Sequence, residues 1–242
     1  MFLSNRIYFF TGLVLLGIVA CLLVGVPLSG AASSYQAQDR GDTAKFLADV
    51  NDHTAVYIVS TAAFTLLDSV FGVLVGALLY LVFRDRSRAL AIALFAGFVA
   101  QSAVSLSGDV IDAAFVPLAK DFANGGAGVS AGDASTLELA HTLGWVVEFL
   151  HDASGTMLAV AFLALGWLLV ASPAGKVNPP KALGWLAIVG GVLSVTAWSA
   201  EAADALGLLN LLGLIVILVF TGWLGVWFLI RGKSLPDPIA AG

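Results

Sequence analysis

Long apolar runs are the feature that most restricts how this chain can fold. A helix that crosses a bilayer needs about 20 consecutive, mostly apolar residues, and the sequence contains six runs of that kind. Apolar residues make up 60% of the 242 and charged residues 11%, which leaves little chain for a soluble domain. We therefore predict an all-α fold, a single integral membrane domain over residues 1–242 that forms a bundle of six transmembrane helices. The predicted spans lie near residues 7–28, 54–83, 89–117, 137–171, 183–204 and 208–230.

The basic residues predict how these spans are oriented, because Lys and Arg in short loops are retained on the cytoplasmic side. Six alternating crossings place eight of the eleven basic residues on one side: Arg6, Arg84, Arg86, Arg88, Lys176, Lys181, Arg231 and Lys233. Both termini are therefore predicted to be cytoplasmic, in a multi-pass protein of the inner (plasma) membrane. The opposite side carries most of the acidic residues and the net charge of -5, which argues against nucleic acid as a partner.

Acidic residues within the apolar spans are the candidate functional groups, because an ionisable side chain at membrane depth is costly and is by default a hypothesis of function. At a rise of 1.5 Å per residue, Asp68 lies roughly 24 Å from the basic anchor Arg84, inside a hydrocarbon core about 30 Å thick. The other acids lie near the predicted outer boundary of that core. The predicted ligand-binding or ion-binding residues are Asp68, Asp109, Asp112, Glu148, Asp152 and Glu201.

Most of these acids belong to polar stripes with helical spacing. The stripes are Thr61, Thr65, Asp68 and Gly72 in span 2; Ser102, Ser105, Asp109 and Asp112 in span 3; His141, Trp145, Glu148 and Asp152 in span 4; and Ser194, Trp198 and Glu201 in span 5. We expect the stripes to line an outward-facing cleft in which Glu148, His151, Asp152, Asp109 and Glu201 form one cluster. Hydrated acids at the end of a bundle without a function are the alternative.

His151 is the candidate metal ligand, because neutral imidazole with carboxylates suits zinc or another divalent metal, and histidines from two helices can also bind haem iron. His141 is ten residues away on the same span, roughly 15 Å along a helix, too far to share one ion. The predicted metal set is His151 with Glu148 or Asp152, completed by Asp109 or Glu201. No recognised motif identifies the metal, so the cofactor is unknown and a divalent metal is the candidate.

The segment between spans 1 and 2 predicts a short amphipathic helix. Its apolar residues are Ala44, Phe46, Leu47 and Val50. We expect this helix to lie along the membrane surface.

The chain resembles an uncharacterised family of bacterial six-helix membrane proteins of similar length. The resemblance rests on the six spans, the basic hairpin Arg84-Asp-Arg-Ser-Arg88, Asp68 within a helix, the histidine at the head of span 4 and the Leu183-Gly184 start of span 5 after a proline-containing loop. It implies the same topology. It implies no activity.

Three classes of function fit the sequence. The first is the binding or translocation of a cation, a proton or a small polar solute, with Asp68 as the deepest site. The second is a metal-dependent membrane enzyme that uses His151, and the third is a structural or accessory subunit that packs against other membrane proteins or copies of itself. The lipid bilayer is the partner that the composition requires. Enzymatic activity is left open, and a function without catalysis is favoured. A serine hydrolase is disfavoured, because the serine of Ser154-Gly155 has no histidine base in span 6.

Overall fold

The computed structural model describes residues 4–32, 40–125, 130–171, 177–195 and 204–236. No β-strand occurs in these residues, and the all-α prediction is confirmed for them. A π turn, Leu67–Gly72, joins α3 to α4, and a 3₁₀ turn, Gly232–Ser234, follows α8. The helices are α1 Ser4–Ala32, α2 Arg40–Asp52, α3 Thr54–Leu66, α4 Val73–Phe83, α5 Arg88–Asn124, α6 Ala134–Val170, α7 Lys181–Ser194 and α8 Asp204–Arg231.

Five helical stretches in the described part of the chain are long and apolar enough to cross a membrane. They are Arg6–Leu28, Thr54–Phe83, Arg88–Asn124, Ala134–Val170 and Leu211–Ser234. These stretches coincide with predicted spans 1, 2, 3, 4 and 6. Large apolar side chains on them, such as Val110 and Phe149, are exposed, as expected of surfaces that contact lipid. The protein is therefore a multi-pass membrane protein in contact with the bilayer.

The predicted fifth span is not confirmed. Helix α7, Lys181–Ser194, has 14 residues, and a helix of that length covers roughly 21 Å, less than a hydrocarbon core of about 30 Å. Residues 196–203, where the predicted span continues, lie outside the described part of the chain. Six spans and cytoplasmic termini therefore stay predictions.

Helix α5 extends beyond the predicted end of span 3. The predicted span ends at Pro117, and proline inside a helix removes a backbone hydrogen bond. The helix instead continues to Asn124. Phe115 and Ala119, on either side of the proline, are fully or almost fully buried, so packing holds the helix together across this position.

Contacts between residues divide the chain into two compact units. Unit A comprises Met1–Ala20, Leu67–Ala103 and Asp152–Gly242, and unit B comprises Cys21–Leu66 and Val104–His151. The single membrane domain over residues 1–242 stays a prediction.

Unit A has a core that is rich in aromatic rings. Tyr8 and Phe228 stack with their centroids 6.0 Å apart, and Phe83 lies 6.4 Å from Phe228. All three side chains are completely buried. The hydroxyl of Tyr8 donates a hydrogen bond of 2.7 Å to the carbonyl of Pro236, which satisfies the polar end of the ring. The segment after α8 is thereby attached to α1.

Arg86, predicted only as a cytoplasmic anchor, also connects three segments of unit A. Its Nη1 atom donates to the carbonyl of Leu168 at 2.6 Å, and its Nε and Nη2 atoms donate to the carbonyl of Val177 at 3.1 and 2.8 Å. Burial lowers the pKa of the Arg86 guanidinium from its ordinary value. Because a guanidinium offers five donors in a rigid fork, it can bind the free carbonyls at the end of α6. The loop between α4 and α5 is thereby fastened to the end of α6 and to the segment before α7.

Unit B has its own core, and α2 contributes to it. The ring of Phe46 packs edge-on against Phe115, with centroids 5.1 Å apart, and against Tyr57 at 6.0 Å. Leu47 and Val50 are completely buried. The prediction of an amphipathic helix is confirmed, but its apolar face packs against protein. That α2 lies along the membrane surface stays a prediction.

Candidate functional site

Three of the predicted site residues come together in unit B. Asp109 and Asp112 are three residues apart on α5, which places their side chains on one face of the helix, and His151 is on α6. The Nε2 atom of His151 lies 3.6 Å from Oδ1 of Asp109 and 4.0 Å from Oδ2 of Asp112. One ligand atom from each residue lies within 4.8 Å of the other two. Ligand atoms around a tetrahedral zinc ion are roughly 3.4 Å apart, so these three residues, the Asp109 group, have nearly the spacing that a metal ion requires.

The members of the Asp109 group differ in exposure. The side chain of Asp109 is 3% exposed, that of Asp112 23% and that of His151 40%. The Oδ2 atom of Asp109 is buried and has no hydrogen-bond partner in the described part of the chain. A buried carboxylate oxygen without a partner is costly. The group therefore has a closed end at Asp109 and an accessible end at Asp112 and His151.

Gly108 allows the imidazole of His151 to approach α5. A Cβ atom at Gly108 would lie 2.9 Å from Nε2 and 3.1 Å from Cδ2 of His151. These distances are shorter than van der Waals contact, so a larger residue would displace the ring. Sequence reasoning missed Gly108, although this glycine directly precedes the candidate site residue Asp109 in the sequence.

Tyr57 braces the same region from α3. Its side chain is buried, and its hydroxyl donates to the backbone carbonyl of Asp112 at 3.3 Å. This contact holds α3 against α5 next to the Asp109 group. Sequence reasoning missed Tyr57 too, although an aromatic ring with a polar end in an apolar span usually has a partner.

The other acids predicted for this cluster are not members of the Asp109 group. Glu148 lies one turn before His151 on α6, and its Oε2 atom is buried with no hydrogen-bond partner among the described residues. Asp152 is half-buried and belongs to unit A. Glu201 lies outside the described residues. The predicted metal set therefore differs from the group in the structure, where Asp112 is present instead of Glu148 or Asp152. Helical rotation accounts for Asp152, since residues adjacent in sequence are about 100° apart around the axis. It does not account for Glu148, which is three residues from His151, the spacing that places Asp109 and Asp112 on one face.

His141 has a structural role. The indole N–H of Trp145 donates to its Nε2 atom at 3.4 Å, and Oγ1 of Thr43 lies 3.1 Å from its Nδ1 atom. Because an indole N–H can only donate, Nε2 is the acceptor and the proton of the neutral ring is on Nδ1. His141 thereby fastens α2 to α6. Its two nitrogens are both engaged, so it offers no free ligand atom to a metal.

Asp68, which the sequence predicts to be the deepest site, lies in the π turn of unit A. It is 5% exposed, and Nε2 of Gln101 on α5 donates to its Oδ1 atom at 2.8 Å. π turns are rare in proteins, and those that occur are often found at functional sites. Sequence reasoning did not identify Gln101, although an amide within an apolar span is itself a costly residue that needs a partner.

Comparison with known proteins identifies a family but no activity. A family model described as "Domain of unknown function (DUF4386)" matches residues 10–232. No curated protein and no solved structure matches the chain. The matched range includes both the Asp109 group and Asp68.

Proposed function

This chain belongs to the DUF4386 family, and we propose its function from the arrangement of its own side chains. The protein binds a divalent cation of the zinc type within its membrane-spanning helices, through Asp109, Asp112 and His151. The observation that carries the proposal is the buried, unpartnered Oδ2 atom of Asp109 beside an imidazole nitrogen and a second carboxylate. A bound cation supplies the partner that this oxygen otherwise lacks.

The charge of the Asp109 group favours a divalent over a monovalent cation. With the imidazole neutral, the two carboxylates carry two negative charges. Charge that is removed from water and left uncompensated is costly. A divalent cation balances both carboxylates, whereas a monovalent cation leaves one of them unbalanced.

The ligand types favour zinc within the divalent class. One imidazole nitrogen with carboxylate oxygens suits zinc, whereas magnesium and calcium prefer oxygen ligands alone. Three protein ligands leave one position of a tetrahedral ion open to water or to another ligand. An open position, with Asp112 and His151 partly exposed, suits a cation that enters and leaves the site.

The predicted orientation gives the site a direction. Asp109 and Asp112 lie toward the end of α5 that the basic residues place outside the cytoplasm. On this proposal, a cation reaches the Asp109 group from the outer side of the inner membrane. Uptake or translocation of the cation and a metal-dependent reaction both begin with this binding step, which is the step we propose.

Zinc binding by the purified full-length protein in detergent tests the proposal. Competition with a fluorescent zinc indicator should give one zinc ion per chain. Asp109→Asn and His151→Gln should each lower the affinity by more than about 100-fold, because each removes a ligand and not merely a group that orients one. The matched controls are Asp121→Asn, an exposed carboxylate on α5, and His53→Gln, an exposed imidazole; both should bind zinc as the wild type does.

The proposal is wrong if the wild type binds no stoichiometric zinc. It is equally wrong if the ligand variants and the control variants lose affinity to the same extent. Proton uptake by the Asp109 group without any bound metal would instead favour a proton relay through His151.

A further inference from the structure

Two helices of unit A, α7 and α8, pack side by side and run in opposite directions. A Cβ atom at Gly190 on α7 would lie 3.0 Å from Cγ1 of Ile217 on α8. A Cβ atom at Gly213, earlier on α8, would lie 2.9 Å from Cβ of Leu193, later on α7. The end at which α7 begins is therefore the end at which α8 finishes.

Three basic side chains lie at this shared end. Lys181 is the first residue of α7, Arg231 is the last residue of α8, and Lys233 lies in the 3₁₀ turn that follows α8. All three are exposed, and none of their side chains forms an ion pair or a hydrogen bond within the described part of the chain. The sequence contains no acidic residue in 171–200 or in 205–236. No acid within these stretches therefore balances the three charges.

The turn that carries Lys233 is attached to α1 on both sides of this lysine. A Cβ atom at Gly232 would lie 2.7 Å from Cβ of Tyr8. The hydroxyl of Tyr8 donates to the carbonyl of Pro236 at 2.7 Å. The backbone of Lys233 is therefore held in place before any ligand binds, which lowers the entropy that is lost on binding.

Tryptophans lie one helical turn from the basic residues of both helices. Trp185 comes four residues after Lys181, and Trp227 comes four residues before Arg231, so each pair shares a helix face. The register of the two helices places Lys181 near the level of Trp227. Indole rings favour the boundary between hydrocarbon and lipid headgroups. The three cations are therefore at the depth of the headgroups.

An anionic phospholipid supplies the negative charge that this end of the helix pair lacks. Its phosphate oxygens accept strong hydrogen bonds from lysine and arginine, and each cation near a membrane surface adds to the attraction for anionic lipid. We propose that Lys181, Arg231 and Lys233 bind the headgroup of an anionic phospholipid. Its acyl chains lie along the exposed apolar faces of α7 and α8, which include Trp185, Val189, Val192, Trp223 and Val226.

Two other phosphate-bearing ligands fit this surface less well. A zwitterionic phospholipid carries an ammonium group that already balances its phosphate, so it leaves the three cations without a counter-charge. A soluble phosphate ester has the charge, but it has no acyl chain to cover the exposed apolar side chains. An anionic phospholipid satisfies both requirements.

Lipid binding to the purified full-length protein in a neutral detergent tests this inference. Phosphatidylglycerol and phosphatidylcholine with the same acyl chains are titrated separately, and bound lipid is measured by native mass spectrometry. We expect phosphatidylglycerol to bind more than about tenfold more tightly, because three cations attract it. Lys181→Gln and Arg231→Gln should each weaken its binding by about fivefold, the effect of removing one cation near an anionic surface. Neither variant should change the binding of phosphatidylcholine.

Lys120→Gln is the matched control, since Lys120 is an exposed lysine on α5, in unit B; it should bind phosphatidylglycerol as the wild type does. Thermal unfolding of each variant should match that of the wild type, because the substituted side chains are exposed and unpaired. Glycerol 3-phosphate, which has no acyl chains, should not displace the lipid at equal concentration. The inference is overturned if the two lipids bind equally, or if Lys181→Gln and Arg231→Gln lose no more affinity than Lys120→Gln. Displacement of the lipid by an equal concentration of glycerol 3-phosphate also overturns it.

Discussion

Asp109 is the residue on which the divalent site depends most. Its carboxylate is 3% exposed, and one of its oxygens has no hydrogen-bond partner in the described residues. In a buried position this arrangement is unfavourable unless a positive charge compensates it. The side chains of Asp112 and His151 are partly exposed, so a cation can bind to them and leave them. On the proposed account, the buried carboxylate of Asp109 requires a cation. The cation reaches it past the partly exposed side chains of Asp112 and His151.

Gly108→Ala tests whether His151 must lie against α5. The added Cβ atom would be 2.9 Å from Nε2 of His151, so the ring has to move away from the carboxylates. We expect zinc affinity to fall by between about 10-fold and 100-fold, the usual cost of disturbing how a ligand is oriented. Folding should persist, because alanine is the better helix former.

The matched control for this prediction is Gly222→Ala. A Cβ atom at Gly222 would meet only Cγ2 of Val19, at an ordinary contact distance of 3.8 Å. Zinc affinity should therefore not change. Equal affinity of the Gly108→Ala variant and the wild type would show that the approach of His151 to α5 is not needed for binding.

Residue spacing predicts that Asp109 and Asp112 share a helix face. It does not predict which acids lie beside His151. The spacing of three residues places Asp109 and Asp112 on one face, and a histidine among apolar residues identifies His151. Which of the nearby acids faces that histidine depends on how α5 and α6 are rotated, and the sequence of one helix does not contain this information. In the structure, His151 lies against Gly108, directly before Asp109 on α5. Gln101 was missed for the same reason, because its importance arises only from its partner on another helix.

Each long apolar helix could be predicted from its run of apolar residues. The residues at which a helix begins and ends depend on local contacts, which that run does not show. Helix α5 continues beyond Pro117, the end of predicted span 3, and Phe115 and Ala119 on either side of the proline are buried. The start of α6, predicted near residue 137, comes at Ala134 because Asp133 caps the helix. The Oδ2 atom of Asp133 accepts hydrogen bonds from the backbone N–H groups of Ser135 at 2.9 Å and Thr136 at 3.4 Å. The π turn at Asp68 has no periodic signal, so span 2 is predicted as one uninterrupted helix.

Asp133→Ala tests the cap through its pH dependence. Hydrogen bonds from the hydroxyl and the N–H of Ser135 hold the pKa of the Asp133 carboxyl below its usual range. A lowered pKa in the folded state stabilises the protein above the unfolded-state value of about 3.9. This contribution is lost as the pH falls through the folded-state value. We therefore expect the variant to melt at a lower temperature than the wild type at neutral pH, and the difference to shrink in acid.

Asp121→Ala is the control for the cap, because Asp121 lies in the last turn of α5 and cannot cap a helix start. Its melting temperature should stay near that of the wild type. A difference between Asp133→Ala and the wild type that is the same at neutral and acidic pH would contradict the charge-based account of the cap.

For the whole molecule, the number of crossings decides on which side the chain ends. Five stretches in the described residues can cross a membrane, and the prediction of six depends on residues 183–204. With six crossings the C-terminus and the segment between α5 and α6 are on opposite sides. With five they are on the same side.

Two topology reporters test this parity. We expect a reporter fused after Gly242 to lie in the cytoplasm and one inserted at Gly126 to lie outside it, because the basic residues are retained on the cytoplasmic side. A reporter at Asp85, between α4 and α5, serves as the cytoplasmic reference. If the reporters at Gly242 and Gly126 lie on the same side, the six-span prediction is wrong.

The most direct measurement of the proposed divalent site is an anomalous difference map, recorded at the zinc absorption edge from crystals of the zinc-loaded full-length protein. The account predicts one strong peak at about 2.0–2.2 Å from a carboxylate oxygen of Asp109, a carboxylate oxygen of Asp112 and Nε2 of His151. A protein that holds stoichiometric zinc but shows its peak away from these three side chains would contradict the account.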